Sequence, residues 1–230
     1  TCSWNLLTEL DVGNLTRLRD LRCLSNDLKA LEVGGLTNLV VLFCERNHIA
    51  KLDVGALTKL EYLNCGGNSL TELNVKDLTK LSFLGCEDMD LTKLEVGALT
   101  ELEHLYCAGN RLTELDVANL TNLTHLRCSR NRLTSLEVGA LRKLTYLGCS
   151  HNRLSKLDVS RLRALKTFHF EPNRPIFGGD QFLELCRTVE PGHLRVILGD
   201  GSDPNTRDGQ GNTVLMRAAG NVGYPEALVL

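Results

Sequence analysis

The chain has 230 residues, a formal net charge of −2 and few aromatic side chains. Its length suffices for one elongated domain or two smaller ones. Because no apolar run reaches about 18 residues, the sequence predicts no membrane-spanning helix, and its slightly acidic balance argues against general polyanion binding.

Cysteine recurs every 21 residues over most of the chain, and only Cys186 falls outside this series. Columns of leucine, asparagine and valine keep the same interval, and Met89 is the single break in the asparagine column. A fixed period of about 20–50 residues is the signature of a solenoid. The periodic cysteines are Cys2, Cys23, Cys44, Cys65, Cys86, Cys107, Cys128 and Cys149.

One repeat, read from Leu18, has the skeleton LxxLxCxxNxLxxLxVxxLxx. This resembles the leucine-rich repeat family, with cysteine in the third apolar position of the strand segment. The resemblance covers residues 1–175, as about eight repeats and a partial first one, and the short repeat is similar to bacterial members. It implies an α/β solenoid: a horseshoe with a parallel concave sheet and little convex helix.

The alternation of an extended segment places Leu21 and Cys23 on one side, towards the core. We therefore interpret the periodic cysteines as small buried hydrophobes with free thiols, not as disulfides or zinc ligands. Such thiols favour a reducing, cytoplasmic location. The start, TCSWNLLTEL, has no signal-peptide pattern and reads as the inside of a repeat, so we expect a truncated N-terminus. Met89 cannot replace the turn asparagine, so its coil should be irregular.

The period ends after Arg174, and residues 176–230 have a different pattern. Phe168 and Phe170 replace leucine and cysteine in the last strand, where they would cap the core. Apolar residues at helical spacing then predict short helices, one of which includes Leu194, Val196, Ile197 and Leu198. The segments GSDPNTRDGQGNT and VLMRAA resemble ankyrin repeats. The resemblance implies a short all-α ankyrin-like segment, truncated within its second repeat.

The residues that alternate with the buried ones should line the concave face. Aromatic and arginine side chains there are not required by the packing of the repeat, and such residues are enriched at binding surfaces. Stacking between neighbouring strands is the simpler alternative. The candidate partner-binding residues are Phe43, Tyr62, Phe83, His104, Tyr106, His125, Arg127, Arg130, Tyr146 and His169.

Charge divides the solenoid into two parts. Residues 1–104 carry 10 Lys and Arg against 16 Asp and Glu, whereas residues 105–175 carry 12 against 5. The acidic part includes Glu45, Glu87, Asp88 and Asp90. In the basic part an arginine follows the turn position in successive repeats, which predicts either an electrostatic rim for an anionic partner or a solvated edge. The rim consists of Arg111, Arg132, Arg153 and Arg174.

These patterns favour a protein-interaction scaffold or adaptor that binds a protein partner on the concave face. One alternative is the targeting arm of a larger bacterial effector whose catalytic part lies elsewhere; another is nucleic-acid binding through the arginine-rich half. The periodic cysteines point inward and the strict period leaves no long loop for an active site, so we expect no enzyme. His104 and His125 lie on adjacent strands without a carboxylate in register, so no metal site or cofactor is predicted.

Overall fold

The computed structural model describes residues 1–154, 157–159 and 161–170, together with the backbone of residues 195–197. These residues form one parallel sheet whose nine strands lie side by side in sequence order. No helix occurs in this described part of the chain. This agrees with the predicted solenoid, which has a parallel sheet and little helix on its convex side. The strands are β1 (Asp20–Arg22), β2 (Val41–Phe43), β3 (Tyr62–Asn64), β4 (Phe83–Gly85), β5 (His104–Tyr106), β6 (His125–Arg127), β7 (Tyr146–Gly148), β8 (Thr167–His169) and β9 (Arg195–Ile197).

The strand register follows the sequence period from β1 to β8. Leu21 lies opposite Leu42, which lies opposite Leu63, and Leu147 lies opposite Phe168. Adjacent strands are about 5 Å apart. Because the register never slips, each column of the sequence repeat becomes a column of side chains in space.

In β1 to β7 the middle residue of the strand and the cysteine two residues after it point into the core. Leu105 and Cys107, for example, are both fully buried. The eight periodic cysteines are free thiols, of which Cys2 is half-buried and the other seven are buried. Burial raises the pKa of Cys65 to about 12 and that of Cys128 to about 12. The thiols therefore act as packing groups, as the alternation predicted.

The buried asparagines connect neighbouring coils. The side-chain oxygen of Asn47 accepts a hydrogen bond from the backbone N–H of Leu28 at 3.0 Å. Its amide donates to the carbonyls of Cys23 and Cys44, both at 3.0 Å. These bonds satisfy backbone groups that the turn leaves unpaired inside the protein.

The residue before each asparagine has left-handed backbone geometry. This conformation occurs with glycine at Gly67 and Gly109, but also at six non-glycine residues, for which it is strained. The sequence period did not reveal this position because no single residue type recurs there from repeat to repeat. The non-glycine members are Trp4, Ser25, Arg46, Asp88, Arg130 and His151.

Met89 disturbs its coil less than the sequence predicts. β4 keeps its register on both sides, and Met89 itself is buried. The irregularity is confined to hydrogen bonds: Asp90 N–H lies 3.3 Å from the Leu70 carbonyl, whereas the same bond from Arg111 to Leu91 is 2.9 Å. The predicted local irregularity is therefore limited to this lengthened hydrogen bond, and strand pairing is unaffected.

At the C-terminal end, Phe168 and Phe170 are buried and their ring centroids are 5.1 Å apart. β9 then pairs in parallel with β8, with Val196 opposite Phe168. The helix predicted across residues 194–198 is therefore wrong for Arg195–Ile197, because this segment adds a strand to the sheet. The rest of the ankyrin-like segment, together with Cys186 and Arg174, lies outside the described residues, so the boundary at residue 175 stays a prediction.

Candidate functional site

The outward-facing side chains of the strands form a continuous line on the sheet face opposite the core, which is the concave side of a leucine-rich repeat horseshoe. We call this line the aromatic strip. Most of its side chains are half-buried, Tyr62 is 42% exposed and Arg127 is exposed. The strip consists of Phe43, Tyr62, Phe83, His104, Tyr106, His125, Arg127, Tyr146 and His169.

Ring contacts link the strip from one strand to the next. The ring of Phe83 lies edge-on to Tyr106 at 5.3 Å, and His125 stacks on Tyr146 at 6.0 Å. Tyr62 makes none of the ring contacts found within the described residues. The remaining contacts join Phe43 to Phe83, Phe83 to His104, His104 to Tyr106, His104 to His125, and Tyr146 to His169.

Arg127 lies between two tyrosine rings. Its guanidinium carbon is 4.5 Å from the centroid of Tyr106 and 5.2 Å from that of Tyr146. Cation–π contacts of this kind hold the planar group in place while its N–H donors stay available. Burial raises the pKa of the Tyr146 hydroxyl, and the nearby Arg127 opposes that shift. Tyrosine and arginine held this way are typical anchor residues of protein interfaces.

Two glycines leave room for rings of the strip. A β-carbon at Gly148 would lie 3.3 Å from Cε1 of Tyr146. One at Gly85 would lie 3.2 Å from Cε1 of Phe83 and closer still, 2.5 Å, to the side-chain oxygen of Asn64, so Gly85 makes room for both side chains. Each ring therefore lies across the glycine two residues later on its own strand. Phe83 then contacts Tyr106, and Tyr146 contacts Arg127.

The two central histidines contact each other, with ring centroids 4.7 Å apart. Nδ1 of His104 is buried without a hydrogen-bond partner, whereas Nδ1 of His125 lies 3.0 Å from the Thr124 hydroxyl. Burial lowers the pKa of His125, and His104 and Arg127 lower it further. Within the described residues no group of three or more His, Cys, Asp or Glu is placed to hold a metal ion.

A further outward column continues beyond the strands and contains two acidic residues that sequence reasoning did not assign to this face. Backbone pairing extends past β2, since Arg46 N–H donates to the Gly66 carbonyl at 2.9 Å. Glu45 and Glu87 therefore point to the same side as Phe43. Continuing the alternation by one more residue would have identified them.

The predicted acidic residues and rim arginines form neither one acidic cluster nor one continuous arginine edge in the described region. Asp90 forms an ion pair with Arg111 at 2.8 Å, so Arg111 is not part of an open cationic edge. Arg132 and Arg153 are exposed. Arg130 is exposed in its strained turn beyond the strand end, so it lies outside the aromatic strip.

The model of the family described as Leucine Rich repeats (2 copies) matches residues 100–140. Together with the fold, this shows that the chain carries leucine-rich repeats with cysteine-containing strands, and its structural neighbours include internalins. No curated protein sequence matches the chain.

The functional domain of InlJ from Listeria monocytogenes, described as including a cysteine ladder, is 38% identical, with a TM-score of 0.76 over 80% of this chain and 40% of that chain. A leucine-rich repeat protein of Leptospira interrogans is 26% identical, with a TM-score of 0.70 over 80% and 50%, respectively. Internalin C2 of L. monocytogenes, at 24% identity, a TM-score of 0.69 and coverage of 81% and 83%, supports the fold alone. The chain thus spans half or less of the first two neighbours.

Leucine-rich repeat domains commonly serve as protein-interaction modules with extended concave surfaces. The described part of the chain contains no helix that is long and apolar enough to cross a membrane.

Proposed function

We propose that this chain is a protein-interaction module, acting as a scaffold or adaptor, and that it binds an elongated protein partner along the aromatic strip. The observation that carries the proposal is Arg127, stacked between Tyr106 and Tyr146. Within the described residues it forms no ion pair. An oriented cation without a carboxylate partner is suited to accept one from another protein.

The contacts among the rings also support the simpler alternative, in which the strip only stabilises the sheet. Cross-strand pairs contribute about 0.2–1 kcal/mol each. That alternative accounts for the stacked His125 and Tyr146, but not for the exposed Tyr62, which makes no ring contact in the described region. A binding role accounts for both.

The role as targeting arm of a larger bacterial effector would use the same surface and differs only in what the module is attached to. The proposed role is binding, not catalysis. A cytoplasmic location is compatible with the free thiols. However, their burial protects them from oxidants in any compartment, so the cysteines support that location less strongly than their number suggests.

The test combines Tyr106→Ala, Arg127→Ala and Tyr146→Ala in the full chain. Partners captured by the wild-type chain are identified by mass spectrometry and purified, and their direct affinity is measured by titration calorimetry. We expect the triple variant to weaken binding by at least about 100-fold, since hot-spot truncations cost about 2 kcal/mol or more. Its melting temperature should fall by no more than about 5 °C, because only partly buried surface contacts are lost.

Arg142→Ala is the matched control, because Arg142 is exposed and lies outside the strip. Undiminished affinity of the triple variant would disprove the proposal. Strongly salt-dependent binding to RNA or DNA, retained in the triple variant, would instead favour the nucleic-acid alternative.

A further inference from the structure

Two half-buried carboxylates lie beside the aromatic strip, in the outward column that follows it. Glu45 and Glu87 occupy this column two coils apart, with Gly66 between them. At strand spacing their backbones are about 10 Å apart. Gly66 itself is buried, and a β-carbon there would lie 3.0 Å from the backbone nitrogen and oxygen of Glu87, so no side chain of the middle coil stands between the two carboxylates.

Neither carboxylate has a cationic partner in the described region, where the ion pairs involve other residues. Oε2 of Glu45 is buried without a hydrogen bond. Burial raises the pKa of Glu45, despite the opposing effects of a backbone hydrogen bond and Arg46. Burial likewise raises the pKa of Glu87, with Arg127 opposing it. Poorly solvated carboxylates without a partner are unfavourable, and a bound cation would relieve that cost.

Aromatic rings border the same space. Phe43 and Phe83 lie on the strands that lead to Glu45 and Glu87, with centroids 6.3 Å apart. A carboxylate pair beside aromatic faces binds the ammonium of lysine or the guanidinium of arginine through both charge and cation–π attraction. Arg22, which lies over Phe43 at 5.3 Å, is already paired with Asp20 at 3.0 Å, so it does not fill the space.

At the other end of the surface, the side chains favour a negatively charged group of the partner rather than a positively charged one. Arg127 is exposed between its two tyrosine rings, and Ser129 and Ser150 follow in the outward column with their hydroxyls 3.1 Å apart. A carboxylate can accept two parallel N–H bonds from a guanidinium fixed in this way. The surface therefore changes from anionic to cationic along the solenoid.

We propose that the partner of the aromatic strip presents an extended segment with a basic side chain over Glu45, Gly66 and Glu87 and an acidic side chain at Arg127. This inference rests on the proposed function and specifies its ligand. Gly66 and Arg127 are three strands apart, which is about 14 Å, or the length of about four extended residues. The segment thus carries a Lys or Arg and an Asp or Glu about four residues apart, in either order, with apolar residues between them.

The test is a selection from a displayed library of random peptides about 12 residues long, which can span the strip when extended. The full-length wild-type chain should enrich peptides with this pair of charges. The Glu45→Gln/Glu87→Gln variant should lose the basic preference and keep the acidic one, and Arg127→Gln should do the reverse. A synthetic peptide with the wild-type consensus should bind each variant at least about tenfold more weakly in fluorescence anisotropy, the loss expected for a charge-assisted contact.

Glu137→Gln and Arg142→Gln make the same charge changes at exposed positions outside the strip and should leave the consensus unchanged. If peptides depend on Tyr106 and Tyr146 but carry no paired charges, or if the variants select the same consensus as the wild type, this inference is overturned while the proposed function stands. If the wild type enriches no peptide, or only peptides that bind equally to the triple alanine variant, the proposed function fails as well.

Discussion

The inward and outward faces of the same short strands follow different rules. On the inward face, leucine occupies the middle strand position from Leu21 to Leu147 and cysteine follows two residues later, and this face is almost completely buried. On the outward face the same strands carry varied residues: aspartate, valine, asparagine and threonine as well as phenylalanine, tyrosine, histidine, arginine and glycine. The inward residues are uniform because identical coils must stack on one another. The outward residues are not constrained by this stacking, so they can vary.

The two faces also differ in how completely their buried polar atoms are hydrogen-bonded. Buried asparagines satisfy every polar atom that they bring into the core, as the three bonds of Asn47 illustrate. The outward face instead leaves Oε2 of Glu45 and Nδ1 of His104 without hydrogen bonds. Ser25 Oγ, in the turn, is the third such buried atom in the described region, and buried polar atoms without a partner are unfavourable.

The largest expected effect is on the inward face. Asn47→Ala should destabilise the chain by about 3 kcal/mol, because the buried N–H of Leu28 loses its acceptor and two carbonyls lose a donor. Urea unfolding followed by circular dichroism measures the change. Asn5→Ala is the control, because Asn5 holds the same repeat position but is exposed, and it should cost less than about 1 kcal/mol. Equal losses at both positions would contradict the structural role assigned to the buried column.

A second substitution tests whether the cysteine column serves packing alone. Cys107→Ser should cost about 2 kcal/mol, since it buries a hydroxyl where the neighbouring carbonyls are already bonded. On the outward face Tyr62→Ser should change the free energy of unfolding by no more than about 0.5 kcal/mol. In the folded protein, thiol-labelling reagents should modify Cys107 far more slowly than Cys2. Rapid labelling of native Cys107, or tolerance of serine there, would show that the column is not a buried packing column.

Met89 offers a test in the stabilising direction. Met89→Asn should raise the free energy of unfolding by about 1 kcal/mol, because the new amide can bond Leu70 N–H and the Cys65 and Cys86 carbonyls, which outweighs the lost apolar burial. Asp90 N–H should then approach the Leu70 carbonyl, which a crystal structure of the variant would reveal. Destabilisation would mean that the core has adapted to methionine.

The smallest expected effect concerns pH and the outward face. Because burial raises the pKa values of Glu45 and Glu87, the folded state holds these protons more tightly, so their contribution to stability is lost as pH rises above 4.5 and through the raised pKa values. The Glu45→Gln/Glu87→Gln variant lacks this loss. Its advantage in melting temperature over the wild type should grow as pH rises from 4.5 through the raised pKa values. A difference that is constant with pH, or that shrinks, would contradict the raised pKa values; Glu137→Gln is the control.

The repeat made most of the fold predictable from sequence. A fixed period determines register, and register determines which residues are buried, as for Leu105 and Cys107. Departures from the period were harder to judge. Met89 was accommodated by packing that no local pattern encodes, and β9 formed where helical spacing was ambiguous over a short apolar run.

The candidate site was predictable in its positions and not in its contacts. Alternation placed Tyr106, Arg127 and Tyr146 on one face, but their sandwich depends on rings that lie across Gly148 and on side-chain conformations. Glu45 was recognised only as part of an acidic group. Its burial follows from backbone pairing that continues beyond the strand, which the repeat skeleton does not display.

The central claim, that the outward face of the strands contacts a protein partner, is tested most directly by covalent footprinting of the full chain with and without its purified partner. Binding should protect Tyr62, Phe83, Tyr106 and Tyr146 from labelling. Trp4 and Leu15, which are 70% and 51% exposed at the N-terminal end, should be labelled equally in both states. Protection of Trp4 and Leu15 with no change at the four aromatic residues would contradict the account.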